Sequence, residues 1–414
     1  EKLNIMKYGC QYFIYLILGQ CTLLSYFALM GSVAYWKVIY DSQFVTIISV
    51  LFTFSFLCST TVMLKYNTKF NPVKIIPYAL SGCFVSLIII ILLYYVPNHT
   101  VKYYVTLIPV ISSGFSSGIY FACIGACAAK ISPQMFQATQ MGLGIAALFI
   151  QIIKDIIYAF FQTPPTSPDY IESQFLTIVV YFGIAVAYII TCIILWEISK
   201  KQLYNQSKNE KIRENILFLD NETYTTVGQR ANDKDEVLTK TKTQIFKIIA
   251  PTAFAQFAQY FGTYFCYPCL VTTIYLNELA GKISVGWWNQ IIITLFFVAD
   301  VIGRTLPKFK CVYNKVSKNA AIIMGYVRIV FIPLYLLMTM PKGKPVINSD
   351  IATIIVALGF GVSNGFVSTF LFMKYQEDLS KIERVTGSFF VTLFYQIAQV
   401  IGCLCGVGLA YVVK

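Results

Sequence analysis

The chain of 414 residues is 57% hydrophobic and only 12% charged, about half the charge that coats a soluble domain. A mean hydropathy of +0.66, with long apolar runs broken by short basic stretches, argues against a soluble enzyme, a disordered scaffold or a nucleic-acid module. It argues for an all-α protein that crosses a membrane many times. The net charge of +13 is the excess expected of basic cytoplasmic loops, so membrane lipid is the expected partner and nucleic acid is not.

Apolar windows of about 20 residues give eleven expected transmembrane helices. They fall at 8–33, 44–64, 73–95, 104–128, 135–161 and 173–198, then at 246–276, 285–306, 319–340, 350–373 and 386–412. With the N-terminus cytoplasmic, the inside segments hold 23 Lys and Arg and the outside segments 6. That asymmetry sets the N-terminus inside and the C-terminus outside. Trp36, Trp196, Trp287 and Trp288 fall at expected span ends, where indole rings favour the headgroup level. The first window is too long, and too many spans follow it, for a cleaved signal peptide. A chain that begins at Glu1 is expected to follow a preceding stretch.

One long polar stretch divides the chain. Residues 1–198 make an N-terminal half of six helices, 199–245 a cytoplasmic loop of mixed charge, and 246–414 a C-terminal half of five. The loop has the composition of a mobile linker. Its sequons at Asn205 and Asn221 lie on the inside, whereas Asn98-His99-Thr100 lies outside and is an acceptor candidate.

Charged groups within spans are costly, and point to function by default. In span five Lys154 and Asp155 stand near the outer end, where snorkelling to the headgroups accounts for them. In span seven Cys266-x-x-Cys269 resembles a redox or metal pair. It lies in an apolar run beside Pro268 with no second pair, and His99 is the only histidine, so no metal or cofactor is expected. Span eight holds Asp300-Val-Ile-Gly303-Arg304. Four residues apart, the carboxylate and guanidinium share a helix face, and Gly303 admits a neighbouring helix. They either face a polar solute or form a self-compensating pair whose arginine reaches the inner headgroups. Arg328 lies about nine residues into span nine, too deep to snorkel. No G-x-x-x-x-G-K-[ST] occurs, so ATP-driven pumping has no motor here.

Several short motifs occur in order along the spans. Leu18-Gly19-x-x-Thr22-Leu23-Leu24 is in span one and Tyr267-Pro268 in span seven. Asp300-x-x-Gly303-Arg304 is in span eight, Arg328-Ile-Val-Phe331-Ile-Pro333 in span nine, and Ser363-Asn364-Gly365-Phe366 in span ten. Together with eleven spans and this topology, the chain resembles the equilibrative nucleoside transporters. The resemblance implies a major-facilitator-like bundle of six helices plus five, with a cavity between the halves. It implies passive, bidirectional transport of nucleosides or nucleobases, purines above all, by a monomeric carrier of the plasma membrane that is not an enzyme. Tyr26, Met30 and Tyr267 would wall and stack the base. Asp300 would accept from hydroxyls or base N–H groups, Arg304 would donate, and Gln140 is the nearest amide in span five. Arg328, Asn364, Gly303 and Pro333 would support packing and gating.

The chain departs from the family where Pro-Trp-Asn becomes Ser25-Tyr26-Phe27, and where the span-five glutamine is replaced by Met141 or Leu143. These changes leave the solute open, with a proton-coupled carrier using Asp300 or Asp155, or a carrier of another small polar solute, as alternatives. A membrane-embedded enzyme would need a His-containing pair, for which only His99 is available.

Overall fold

The computed structural model describes residues 2–40, 42–67, 69–160, 167, 169–221, 240–341 and 344–413. Nearly all of them are helical. In the N-terminal half, α1 (Lys2–Gln20) and α2 (Leu24–Gly31) form the first crossing, followed by the short α3 (Val33–Ile39). Then come α4 (Ser42–Lys65), α5 (Pro72–Leu92), α6 (His99–Ile131), α7 (Pro133–Phe160) and α8 (Tyr170–Asn221). The C-terminal half contains α9 (Lys242–Phe265), α10 (Val285–Thr305), α11 (Lys310–Lys315) and α12 (Lys318–Val327). It ends with α13 (Phe331–Thr339), α14 (Asp350–Lys374) and α15 (Lys381–Val413).

Helix starts follow from local chemistry. Asn71, Asn98, Thr241, Ser284 and Ser317 each accept from a backbone N–H of the first turn of α5, α6, α9, α10 and α12, satisfying donors that have no partner within the helix. Thr241 and Gln244 form a reciprocal capping box.

Breaks within the expected spans have equally local causes. Between α1 and α2 the Thr22 hydroxyl donates to the Gly19 carbonyl at 2.7 Å, diverting an acceptor from the helical ladder. After α9, Tyr267 is extended, at φ −108° and ψ 134°, as the residue before a proline prefers. Span nine is interrupted by a 3₁₀ turn over Arg328–Val330 and resumes with Pro333 in the first turn of α13, where a missing N–H costs no intrahelical bond.

Two expectations are corrected. The apolar sixth span ends at Lys200, near the expected 198, but the first part of the expected loop is helical, because α8 continues to Asn221 on a sequence rich in Lys, Glu, Gln and Leu, all good helix formers. Residues 222–239 of the expected loop lie outside the described residues. The tryptophans are not all headgroup anchors either. Trp36, Trp196 and Trp288 are fully buried, and the first two donate to the Leu29 and Val73 carbonyls. Only Trp287 is half exposed, packed edge-on against Tyr158.

Among the described residues ten helical segments are long and apolar enough to cross a membrane. Large apolar side chains such as Phe115, Ile190, Ile194, Val298 and Ile302 point outward, as lipid contact requires. Helix α9, at the place of the expected seventh span, is not among the ten. Its 24 residues reach about 36 Å at 1.5 Å per residue. However, they include Thr252, Gln256, Gln259 and Thr263, all buried within the protein, so α9 faces neighbouring helices where a lipid-facing span would be apolar.

Within the halves α1 packs on α7, α6 on α4 and α5, α14 on α10, and α15 on α9. Between the halves α7 packs on α10 and α14, and α15 on α4 and α6. The end of the bundle carrying Lys65, Lys200, Lys242, Lys310 and Lys381 is called the linker end below, and the opposite one the far end.

Candidate solute-binding site between the halves

Helix α10 places Asp300 and Arg304 one turn apart, and Arg304 Nε donates to Asp300 Oδ2 at 2.7 Å with both side chains 4% exposed. Glycines make this burial possible. A Cβ on Gly303 would collide with the Val362 carbonyl, and one on Gly365 with the Asp300 carbonyl, so α10 and α14 pack backbone to backbone. On the other side a Cβ on Gly144 of α7 would lie 2.7 Å from Arg304 Cδ. The pair is thus held between α14 and α7 in the bundle interior. Arg304 does not reach the headgroups, and the snorkelling alternative fails.

A buried ion pair needs further hydrogen bonds to offset desolvation. Asn364 Nδ2 donates to Asp300 Oδ1 at 2.6 Å. Arg304 Nη1 donates to both the backbone oxygen and Oε1 of Gln140 at 3.3 Å. Asn364 Oδ1 in turn accepts from Gln259 Nε2 and Thr263 Oγ1, each at 2.9 Å, and from Arg328 Nη1 at 3.4 Å. Arg328 also donates to Ser363 Oγ, Thr263 Oγ1 and the carbonyls of Gln259 and Phe360, with its guanidinium 5.2 Å from the Phe360 ring centre. Asn364 therefore joins the two buried arginine systems.

Asp300, Arg304 and Asn364 open onto a cavity of about 60 Å³, room for about two waters and far below the roughly 300–1,000 Å³ of small-molecule sites. Leu23, Tyr26, Phe27, Leu143, Gly144 and Ala147 line it from the N-terminal half. Tyr260, Thr263, Tyr264, Tyr267, Phe296, Phe297 and Tyr395 line it from the other. Tyr267 stacks on Phe296 at 5.2 Å, and the Tyr264 and Tyr395 hydroxyls are 2.9 Å apart. A larger hollow of about 620 Å³ lies within the N-terminal half beside Ile91, Asp169, Glu172 and Phe175, away from this chemistry.

Of the residues read from the sequence, Tyr26, Tyr267, Asp300, Arg304 and Asn364 meet at the cavity, and Gln140 reaches it through Arg304. Met30 does not. The lining positions Leu23, Tyr26 and Phe27 leave Met30 one turn towards the far end, half buried against the N-terminal core. Pro333 is exposed at the protein surface beside Leu336 and Met340, where it shapes α13 and not the cavity. Tyr260, Tyr264 and Tyr395 went unread; Tyr260-x-x-x-Tyr264, one helical turn apart and just before Tyr267, was the available signal. Cys266 is a buried free thiol, the Cys269 side chain lies outside the described residues, and no metal-ligand cluster occurs among those described.

Both ends are closed by contacts between the halves. At the linker end Gln137 Nε2 donates to the Arg304 carbonyl at 2.7 Å, Asn67 Nδ2 to Thr386 Oγ1 at 3.1 Å, and Lys242 Nζ to the Leu64 carbonyl at 2.9 Å. At the far end Gln151 Nε2 donates to Gln290 Oε1 at 2.7 Å, and Thr294 Oγ1 to Asp155 Oδ2 at 2.6 Å. Asp155 is therefore a bridge between α7 and α10. Its snorkelling assignment is corrected.

A profile described as "Nucleoside transporter" matches residues 107–414. The chain belongs to the nucleoside transporter family. Among relatives, the chain is 20% identical over 408 residues to "Equilibrative nucleotide transporter 8" of Arabidopsis thaliana, covering 96% of the chain and 95% of the relative. It is 24% identical over 155 residues to "Equilibrative nucleoside transporter 4" of Homo sapiens, covering 37% of the chain and 28% of that protein. Solved structures share its fold. The E. coli fucose:proton symporter superposes with a TM-score of 0.56 at 12% identity, covering 97% of this chain and 98% of the other. The major-facilitator proton:xylose symporter superposes with 0.65 at 10% identity, covering 95% and 86%. The nucleoside transporter is thus a multi-pass, helical, major-facilitator-like membrane transporter and not an enzyme.

Proposed function

We propose that the chain carries nucleosides or nucleobases, purines above all, passively and in both directions by alternating access. The halves 1–198 and 246–414 would rock about a site at their junction. The observation that carries this reading is the Asp300–Arg304 pair, buried at a small aromatic cavity between the halves and closed off at both ends. Tyr26 and Tyr267 offer flat faces to a base. Asp300 accepts from ribose hydroxyls or base N–H groups, and Arg304 donates to base or sugar oxygens. Arg328, Asn364 and Gly303 hold α9, α10 and α14 as one body. The cavity must enlarge as the halves part.

Passive transport is supported by the state of Asp300, both of whose oxygens are engaged by donors. Among the described residues it is the only carboxylate lining the cavity. The proposed topology has eleven spans including α9 and a cytoplasmic N-terminus, in keeping with the distribution of basic residues, and the carrier is proposed to work as a monomer in the plasma membrane. Uptake of radiolabelled adenosine and hypoxanthine into proteoliposomes tests the reading. Equilibration of either, unchanged by a pH gradient, is expected. Uptake of neither removes the solute assignment, and uptake that collapses with the gradient replaces passive by proton-coupled transport, with the bridging Asp155 as the next carboxylate to examine.

A further inference from the structure

The charged and amide groups at the cavity, Asp300, Arg304 and Asn364, are paired, but the Tyr260 hydroxyl is not, and a seam of unpartnered groups runs from it towards the linker end. On α9, Thr252 and Gln256 precede the cavity-lining Tyr260 by two turns and one turn on the same face. Both are 0% exposed, and neither the Thr252 hydroxyl nor either polar atom of the Gln256 amide has a hydrogen-bond partner. On α14 the Thr369 hydroxyl, just beyond Asn364 and Gly365, is buried and unpartnered. The same holds on α15 for Thr392, one turn before the cavity-lining Tyr395.

Leaving a buried donor or acceptor unmade forfeits its full hydration, so a run of such groups calls for a partner that the neighbouring side chains do not supply, water or a polar solute. The α15 part of the seam borders the N-terminal half. Tyr395 lies 5.5 Å from the Phe121 ring, and a Cβ on Gly125 would sit 3.2 Å from Ser388 Oγ. Parting of the halves at the linker end would therefore uncover it.

We propose that this seam is the linker-end half of the solute passage, shut in the present state, and that the Gln256 amide is a specificity-determining contact for the base. The proposal rests on the transport reading above and deepens it. A glutamine amide presents a donor and an acceptor side by side, the complement of a purine edge such as N6 and N7 of adenine. The threonine hydroxyls, each donor and acceptor, suit ribose or water.

The test uses the full chain in proteoliposomes. If the amide were only a buried defect, Gln256→Leu would leave transport intact, because replacing an unsatisfied polar group by an apolar one is neutral or stabilising. The expected result is a melting temperature equal to or above that of the wild type, an adenosine KM raised about tenfold, as for one lost hydrogen-bonded contact, and partial rescue by Gln256→Asn. A Gln256→Leu protein with unaltered KM and unaltered preference between adenosine and uridine overturns the specificity role. In vesicles exposing the linker end, Thr392→Cys should react with a membrane-impermeant thiol reagent faster than the wild-type background, and adenosine should slow it. Reaction no faster than background overturns the passage. If the wild type carries neither adenosine nor hypoxanthine, the transport reading fails by itself, and the Thr392→Cys labelling still decides the passage.

Discussion

Asn364 is the residue through which the site's two arginines communicate. Its amide can satisfy Asp300 and the Gln259–Thr263–Arg328 group only in one orientation, with Nδ2 towards the carboxylate. Asn364→Leu should therefore lower stability by about 1–3 kcal/mol, from orphaned partners on both sides, seen as a reduced melting temperature. The ion pair should behave as a unit. Asp300→Asn or Arg304→Gln alone leaves an uncompensated buried charge, at a cost of about 3–5 kcal/mol. The double variant Asp300→Asn/Arg304→Gln should lose much less than the sum of the singles, yet none of the three should take up adenosine. The pairing was legible because a carboxylate and a guanidinium four apart share a helix face, but its place in the interior was not, since an arginine near the inner end of a span can also reach the headgroups. Tyr264 and Tyr395 were not, since a tyrosine in an apolar helix packs equally well into core, cavity or headgroups. Met30 was misplaced for a related reason: the turn of α2 that meets the cavity is set by where α1 breaks, at Thr22, and not by residue type.

At the scale of elements, the contact of α10 with α14 decides whether the pair stays buried. Gly303→Ala and Gly365→Ala each drive a methyl into backbone atoms of the partner helix, whereas a Cβ on Gly359 of α14 meets nothing within 4 Å. The first two should reduce folded yield and transport, while Gly359→Ala should raise stability by about 0.5–1 kcal/mol through helix propensity. Detergent melting curves of the three read out the difference, and equal behaviour would mean that the helices do not touch as described. Helices were legible where a long apolar run fixed them, as in α10 and α14. The continuation of α8 to Asn221 was hidden because charge was taken to imply a linker, although those residues favour helix. The polarity of α9 reflects its place inside the bundle, which composition alone does not convey.

For the whole molecule, the account requires the two halves to part alternately. The far-end bridge should therefore be a point at which motion can be arrested. Gln151→Cys with Gln290→Cys puts two thiols across the space that the two amides now fill, a span for a short, cleavable bifunctional thiol crosslinker and not for a direct disulfide. Crosslinking should stop adenosine uptake and cleavage of the linker should restore it, whereas transport at the unlinked rate would show that α7 and α10 need not separate there.

The central claim is that Asp300 and Arg304 hold the solute, and ligand-dependent melting of purified protein tests it most directly. A ligand that binds only the folded state at 100 times its dissociation constant stabilises by about 2.7 kcal/mol. Adenosine should raise the melting temperature of the wild type and leave that of Asp300→Asn/Arg304→Gln unmoved. An equal rise in both proteins would contradict the claim.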